Sequence, residues 1–110
     1  ANPDVNVVLG ENDSMLLGAR NALIAAGKDK DVLLVAAADG QKEALELIAE
    51  GSYGATGLNN PAIVAATAVD LAKSAIEGTL PADQPRLTYT EPAVITKENV
   101  AEHYKADSVF

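Results

Sequence analysis

Three short polar clusters interrupt an otherwise apolar pattern: Glu11-Asn12-Asp13, Asp39-Gly40 and Asn59-Asn60-Pro61. Asparagine amides both donate and accept hydrogen bonds, and an ionised carboxylate can accept from two hydroxyls. Bonds to the charged group are roughly twice as strong as neutral ones. Such a set matches a neutral, hydroxyl-rich molecule. It matches a phosphate badly, because carboxylates repel it and the sequence has no P-loop and no GxGxxG. Each cluster also has an ordinary local use: Asn, Asp and Ser cap helices, Asp-Gly turns the chain, and Asn-Pro starts a helix. Two features exceed that use. The first cluster carries more donors and acceptors than one helix start needs, and Asn59 stands one position outside the cap that Asn60 fills. Surplus side chains point to a ligand.

Little in the sequence suggests catalysis. His103 is the single histidine, flanked by Glu102 and Tyr104 in a short terminal helix, and reads as a surface residue. No nucleophile sits beside a base, and one histidine among scattered carboxylates is not a metal-ligand pattern. The expectation is a binding protein, not an enzyme, with no cofactor and no metal.

The elements that must carry these clusters follow from periodicity. Val5 to Gly10 reads as a strand. Met15, Leu16, Ala19, Ala22, Leu23 and Ala26 form one apolar helical stripe, stopped at Gly27. Val32 to Ala37 is a continuous apolar run, as in a strand buried on both faces. Ala44, Leu45, Leu47 and Ile48 mark a second helix ended by Gly51, and a short strand follows at Ala55 to Leu58. Asn60 caps a third helix with Pro61 at its first position, running to about Ile76. After a stiff Leu80-to-Pro85 connector, Arg86 to Ile95 reads as a last strand broken by Pro92, and Thr96 to Asn99 cap a terminal helix. Strand–helix alternation predicts an α/β domain with a mainly parallel sheet. In such sheets ligands lie beyond the carboxyl ends of the strands, where all three polar clusters fall.

Composition bounds the partners. With 110 residues the chain has room for one domain, and 48% hydrophobic content with 22% charged is that of a globular chain. Eight basic residues against sixteen acidic ones give a net charge of −8, which disfavours nucleic acid and acidic membranes. No apolar run reaches the roughly 20 residues of a membrane span. The absence of cysteine leaves cytosol and periplasm both open. The start at Ala1, without an initiator Met or a signal-peptide pattern, reads as processed or truncated.

The order of motifs resembles a known family. "NPDVNVVLGENDSMLLGARNALIAAGK", "DVLLVAAADGQKEALELIAEG", "YGATGLNNPAIVAATAVDLAKSAIEG" and "VITKENV" are together similar to the C-terminal part of periplasmic sugar-binding proteins of the ribose-binding type (type I), the solute receptors of ABC importers. The resemblance covers nearly all of this chain and only the final portion of a family member. It implies a sugar clamped between two lobes, a periplasmic location and an ABC permease as partner. Residue by residue, it implies that Asn12, Asp39 and Asn59 are ligand contacts. One departure stands out: many relatives place an aromatic just before that aspartate, where this chain has Ala38. The resemblance also implies that residues 1–59 and 86–96 belong to the C-terminal lobe, while the helix over 61–78 packs on the other, missing lobe. Its broad apolar face (Val64, Ala65, Ala68, Val69, Leu71, Ala72, Ala75 and Ile76) then needs that missing piece, a second copy, or the chain's own sheet.

Two alternatives differ in class. One is the sensing lobe of a lactose-repressor-type regulator, which would need a basic helix-turn-helix that the sequence does not supply. The other is a phospho-acceptor receiver domain, with Glu11 and Asp13 on Mg²⁺, Asp39 accepting phosphate and Lys97 contacting it. It ranks lower, because only one helix separates its acidic clusters.

Overall fold

The computed structural model describes residues 2–110, and its sheet is built outward from a central strand. Strand β1 (Val7–Gly10) lies parallel to β2 (Leu33–Ala36), with Val7 opposite Leu33 and Gly10 opposite Ala36. On the other side of β2, Ala36 N donates to Ala55 O at 2.9 Å and Gly54 N to Leu34 O at 2.8 Å, which brings in the parallel β3 (Thr56–Gly57). The antiparallel β4 (Val94–Ile95) closes that side, pairing Thr56 with Ile95. The expected α/β fold with a mainly parallel sheet is what forms.

Helices α1 (Asp13–Ala25) and α2 (Lys42–Glu50) connect successive strands and pack on one face of the sheet. Their buried side chains, Leu16 from α1 and Ala44, Leu45 and Ile48 from α2, meet Leu34 and Ala36 of β2 together with Tyr53, Ile95 and Val100. Val100 opens the short α4 (Val100–His103). The α1 helix stops as its glycine predicts. Gly27 adopts φ 67°, its N–H reaches Ile24 O at 3.0 Å, and Lys28 N reaches Leu23 O at 2.9 Å, satisfying carbonyls that the last turn would otherwise orphan.

Three expectations need correction. The apolar run 32–37 is covered on one face only: Leu34 is 2% exposed, but Leu33 beside it is 48% exposed. Its cross-strand neighbours Val7 and Leu9 of β1 lie on that same open face, at 47% and 73%. Both helices lie on the opposite side, so strand alternation leaves this face bare among the described residues. The expected strand over 86–95 shrinks to Val94–Ile95. Pro85 and Pro92 lack N–H groups, and among the described residues no strand pairs with 86–90. His103, expected at the surface, is partly buried.

The third helix, α3 (Pro61–Ile76), has the expected start, with Asn60 Oδ1 accepting from Ala62 N at 2.9 Å. None of its sixteen residues is buried. Its Val64, Leu71 and Ala75 share a shallow groove with Leu80, Pro85 and Thr88 of the returning connector. Because α3 projects from the sheet, the chain measures 59 × 28 × 21 Å with a radius of gyration of 17.6 Å. A compact chain of this length would have about 13 Å.

Candidate functional site

The carboxyl ends of β1, β2 and β3 carry the three polar clusters, and the side chains divide sharply between internal and outward use. Asn12 follows β1 in an extended conformation and caps α1, its Oδ1 accepting from Met15 N at 2.9 Å. The cap spends the oxygen; the amide Nδ2 of this partly buried residue has no partner among the described residues.

Asp39 ends β2. The ordinary local use of an Asp-Gly pair is a turn, in which an aspartate side chain commonly bonds the backbone that follows. The structure assigns that task elsewhere. α2 has Gln41 at its N-cap with no side-chain cap bond of its own. Asp13 holds the loop into α2 from α1: its Oδ2 accepts from Asp39 N at 3.0 Å, Gly40 N at 2.8 Å and the N-cap Gln41 N at 2.8 Å. The carboxylate of Asp39 is therefore not used on its own backbone. It accepts from Asn59 Nδ2 at 3.4 Å and is partly open to solvent. The peptide joining Ala38 to Asp39 is cis.

Asn59 is exposed, and its backbone N–H donates to Asp39 O at 2.9 Å, so the ends of β2 and β3 are tied twice. A glycine makes this approach possible. A Cβ at Gly57 would sit 2.1 Å from the carbonyl oxygen of Ala37, far inside contact distance. The neighbouring Asn60 is wholly explained as the cap of α3.

The surplus in the first cluster therefore has two fates. Asp13 is 0% exposed and spent inside the protein, with its Oδ1 accepting from Tyr53 Oη at 2.8 Å. Burial first, and then the hydrogen bond and charge of Asp13, push the Tyr53 hydroxyl well above its ordinary pKa. Nothing in the sequence singles out Tyr53, which reads as one more core aromatic. Asn12, Asp39 and Asn59 all follow parallel strands and so stand at the carboxyl rim of the sheet; Asn59 touches Asp39, while Asn12 is linked to them through its sequence neighbour Asp13, which holds the Asp39 backbone. The rim offers a carboxylate acceptor and amide groups.

This geometry rules out the receiver arrangement. Asp13 has both oxygens occupied and no exposed surface with which to hold a metal. Lys97 lies at the wrong pole, its Nζ 3.2 Å from where a Cβ of Gly51 would be, at the far end of α2 from Asp39. It lies there because β4 runs antiparallel and returns the chain to the opposite edge of the sheet.

The pattern described as "Periplasmic binding protein domain" matches residues 1–80. The chain belongs to the periplasmic binding protein family. Among curated relatives, the ribose import binding protein RbsB of Bacillus subtilis is 36% identical over 76 residues, covering 69% of this chain and 24% of that protein. The D-galactose/methyl-galactoside binding periplasmic protein MglB of Haemophilus influenzae is 32% identical over 108 residues, 93% of this chain and 32% of that one. Among solved structures, an ABC transporter periplasmic solute binding protein of Actinobacillus succinogenes with bound D-allose superposes with a TM-score of 0.80 at 30% identity, covering 92% of this chain and 34% of that one. The Caulobacter myo-inositol binding protein gives a TM-score of 0.70 at 34% identity, covering 88% and 32%. This periplasmic binding protein chain thus spans about a quarter to a third of the relatives it matches.

Proposed function

We propose that this chain is the C-terminal part of a receptor that reversibly binds a sugar or sugar alcohol and delivers it to an ABC import permease, working in the periplasm and without chemistry of its own. Asn12, Asp39 and Asn59 are the contacts it contributes. Residues 1–59 and 86–96 form one lobe, and 61–78 pack on the other. The observation that carries the reading is the state of Asp39. Its carboxylate, left off its own loop backbone because Asp13 holds those amides, stands at the carboxyl edge of the sheet beside an amide donor and in no salt bridge among the described residues. An acceptor so placed suits a ligand that brings hydroxyl hydrogens. Relatives named for ribose, D-allose and myo-inositol support the same class of ligand.

The test is a thermal-shift screen of the full-length protein against ribose, D-allose and myo-inositol, followed by calorimetry. A ligand at a hundred times its Kd stabilises the folded state by about 2.7 kcal/mol, which a melting curve resolves. Asp39→Ala should then cost about 2–5 kcal/mol of binding, at least tenfold in affinity, with the melting temperature of the free protein little changed. Parental affinity in that variant would remove Asp39 from the site.

A further inference from the structure

Three successive backbone N–H groups converge on a single oxygen of Asp13, from Asp39, Gly40 and Gln41. The α2 helix has no cap of its own, and Gly40, with φ 82°, turns its N–H inward, away from water, where an unmet donor is costly. The negative charge also lies at the positive end of α2, where it is favoured. The other oxygen is pinned by Tyr53, so the carboxylate cannot rotate without breaking a buried bond. Ser14, next on α1, adds Oγ to Gln41 Oε1 at 3.1 Å. The amides of the loop after β2 are thus held from the first turn of α1.

We propose that Asp13 is a positioning residue of the ligand site: it never touches the ligand, but sets the direction in which Asp39 presents its carboxylate. This rests on the sugar-binding reading and extends it to a residue buried behind the site. Held by its own N–H and by Asn59, Asp39 has no local use for its carboxylate and keeps it in place for a guest. Without Asp13 the amides of 39–41 must find other acceptors, and the carboxylate of Asp39 itself is the nearest candidate.

The full-length protein provides the test, with ribose, D-allose and myo-inositol as probes. Asp13→Ala should weaken the bound probe by at least about tenfold, as loss of a buried charged partner does. Asp13→Asn returns an oxygen to the same point without the charge, and should recover most of that loss, to within about threefold of the parent. Leu16→Ala is the control. It destabilises the same helix without touching the loop and should bind within about twofold of the parent. Amide exchange supplies an arm independent of any sugar: in Asp13→Ala the N–H groups of 39–41 should exchange faster while those of β2 do not. Parental affinity in Asp13→Ala, or an equal loss in Leu16→Ala at matched stability, overturns the proposal. If Asp13→Ala does not fold, Asp13→Ser, which cannot supply the carboxylate oxygen, takes its place, and parental affinity with parental exchange of the 39–41 amides there overturns the proposal. If the parent binds none of the three probes, the sugar reading fails. Unchanged amide exchange in the variants would then show that Asp13 does not anchor the loop either.

Discussion

The hydroxyl of Tyr53 sits where ionisation is opposed by burial and, secondarily, by a carboxylate 2.8 Å away. The consequence for stability has a definite sign. An unfolded tyrosine releases its proton near pH 10. Below that both states keep it, and the Tyr53–Asp13 bond contributes fully. Above it the unfolded chain loses the proton while the folded one retains it, so stability falls as pH rises. Tyr53→Phe should flatten this alkaline fall in urea denaturation of the full-length protein. At neutral pH it should cost about 1–3 kcal/mol, because Asp13 keeps an unmet acceptor. An identical alkaline slope in parent and variant would contradict the buried bond. At this scale the sequence was legible where chemistry and position coincide. The three polar clusters could be picked out as surplus groups at strand ends, and the family resemblance narrowed them to Asn12, Asp39 and Asn59. The role of Asp13 could not be read, because its partners lie 26 to 28 and 40 positions away and nothing local announces them.

Elements bring those residues together, and their closest approach is at Gly57. The clash that a Cβ would make is with the carbonyl of Ala37, a backbone atom that cannot step aside. Gly57→Ala should therefore part β3 from the end of β2, just where Asn59 is tied to Asp39. The expected cost is about 1–3 kcal/mol from overpacking, with ligand affinity falling alongside it. Gly18→Ala, in the interior of α1 with nothing within 4 Å of the added carbon, should instead stabilise by roughly 0.5–1 kcal/mol and leave affinity alone. Denaturant midpoints and calorimetry on the two variants separate the cases, and equal effects would remove the argument from close approach. Helices α1 to α3 were readable from apolar spacing and glycine stops, because a helix satisfies its own backbone. Strands do not. The stretch 86–90 carries strand-like Leu87 and Tyr89, yet side-chain pattern cannot say whether a neighbouring strand exists to pair with it.

The whole molecule has more apolar surface than its own elements can cover. Val64, Val69 and Ile76 of α3 are 44%, 65% and 88% exposed, and Val7, Leu9 and Leu33 bare the far face of the sheet. Each large side chain of this kind forfeits up to about 1.5–3 kcal/mol when left wet, and a domain's entire stability is only about 5–15 kcal/mol. The helix does not fold back onto the sheet, which removes one of the three ways of covering it foreseen from the sequence. The chain spans a quarter to a third of its relatives, and on the proposed two-lobe reading the remainder of such a protein would supply the cover. The 110-residue chain produced alone should therefore self-associate in light scattering coupled to size-exclusion chromatography. If the chain is the C-terminal part of a longer receptor, as proposed, co-production with the remaining segment should yield a defined one-to-one complex. Charge does not oppose this association strongly, since the apolar faces named here carry few of the sixteen acidic residues. A monodisperse monomer with a radius of gyration near 13 Å would mean that α3 closes on its own sheet, and the two-lobe arrangement would lose its physical support.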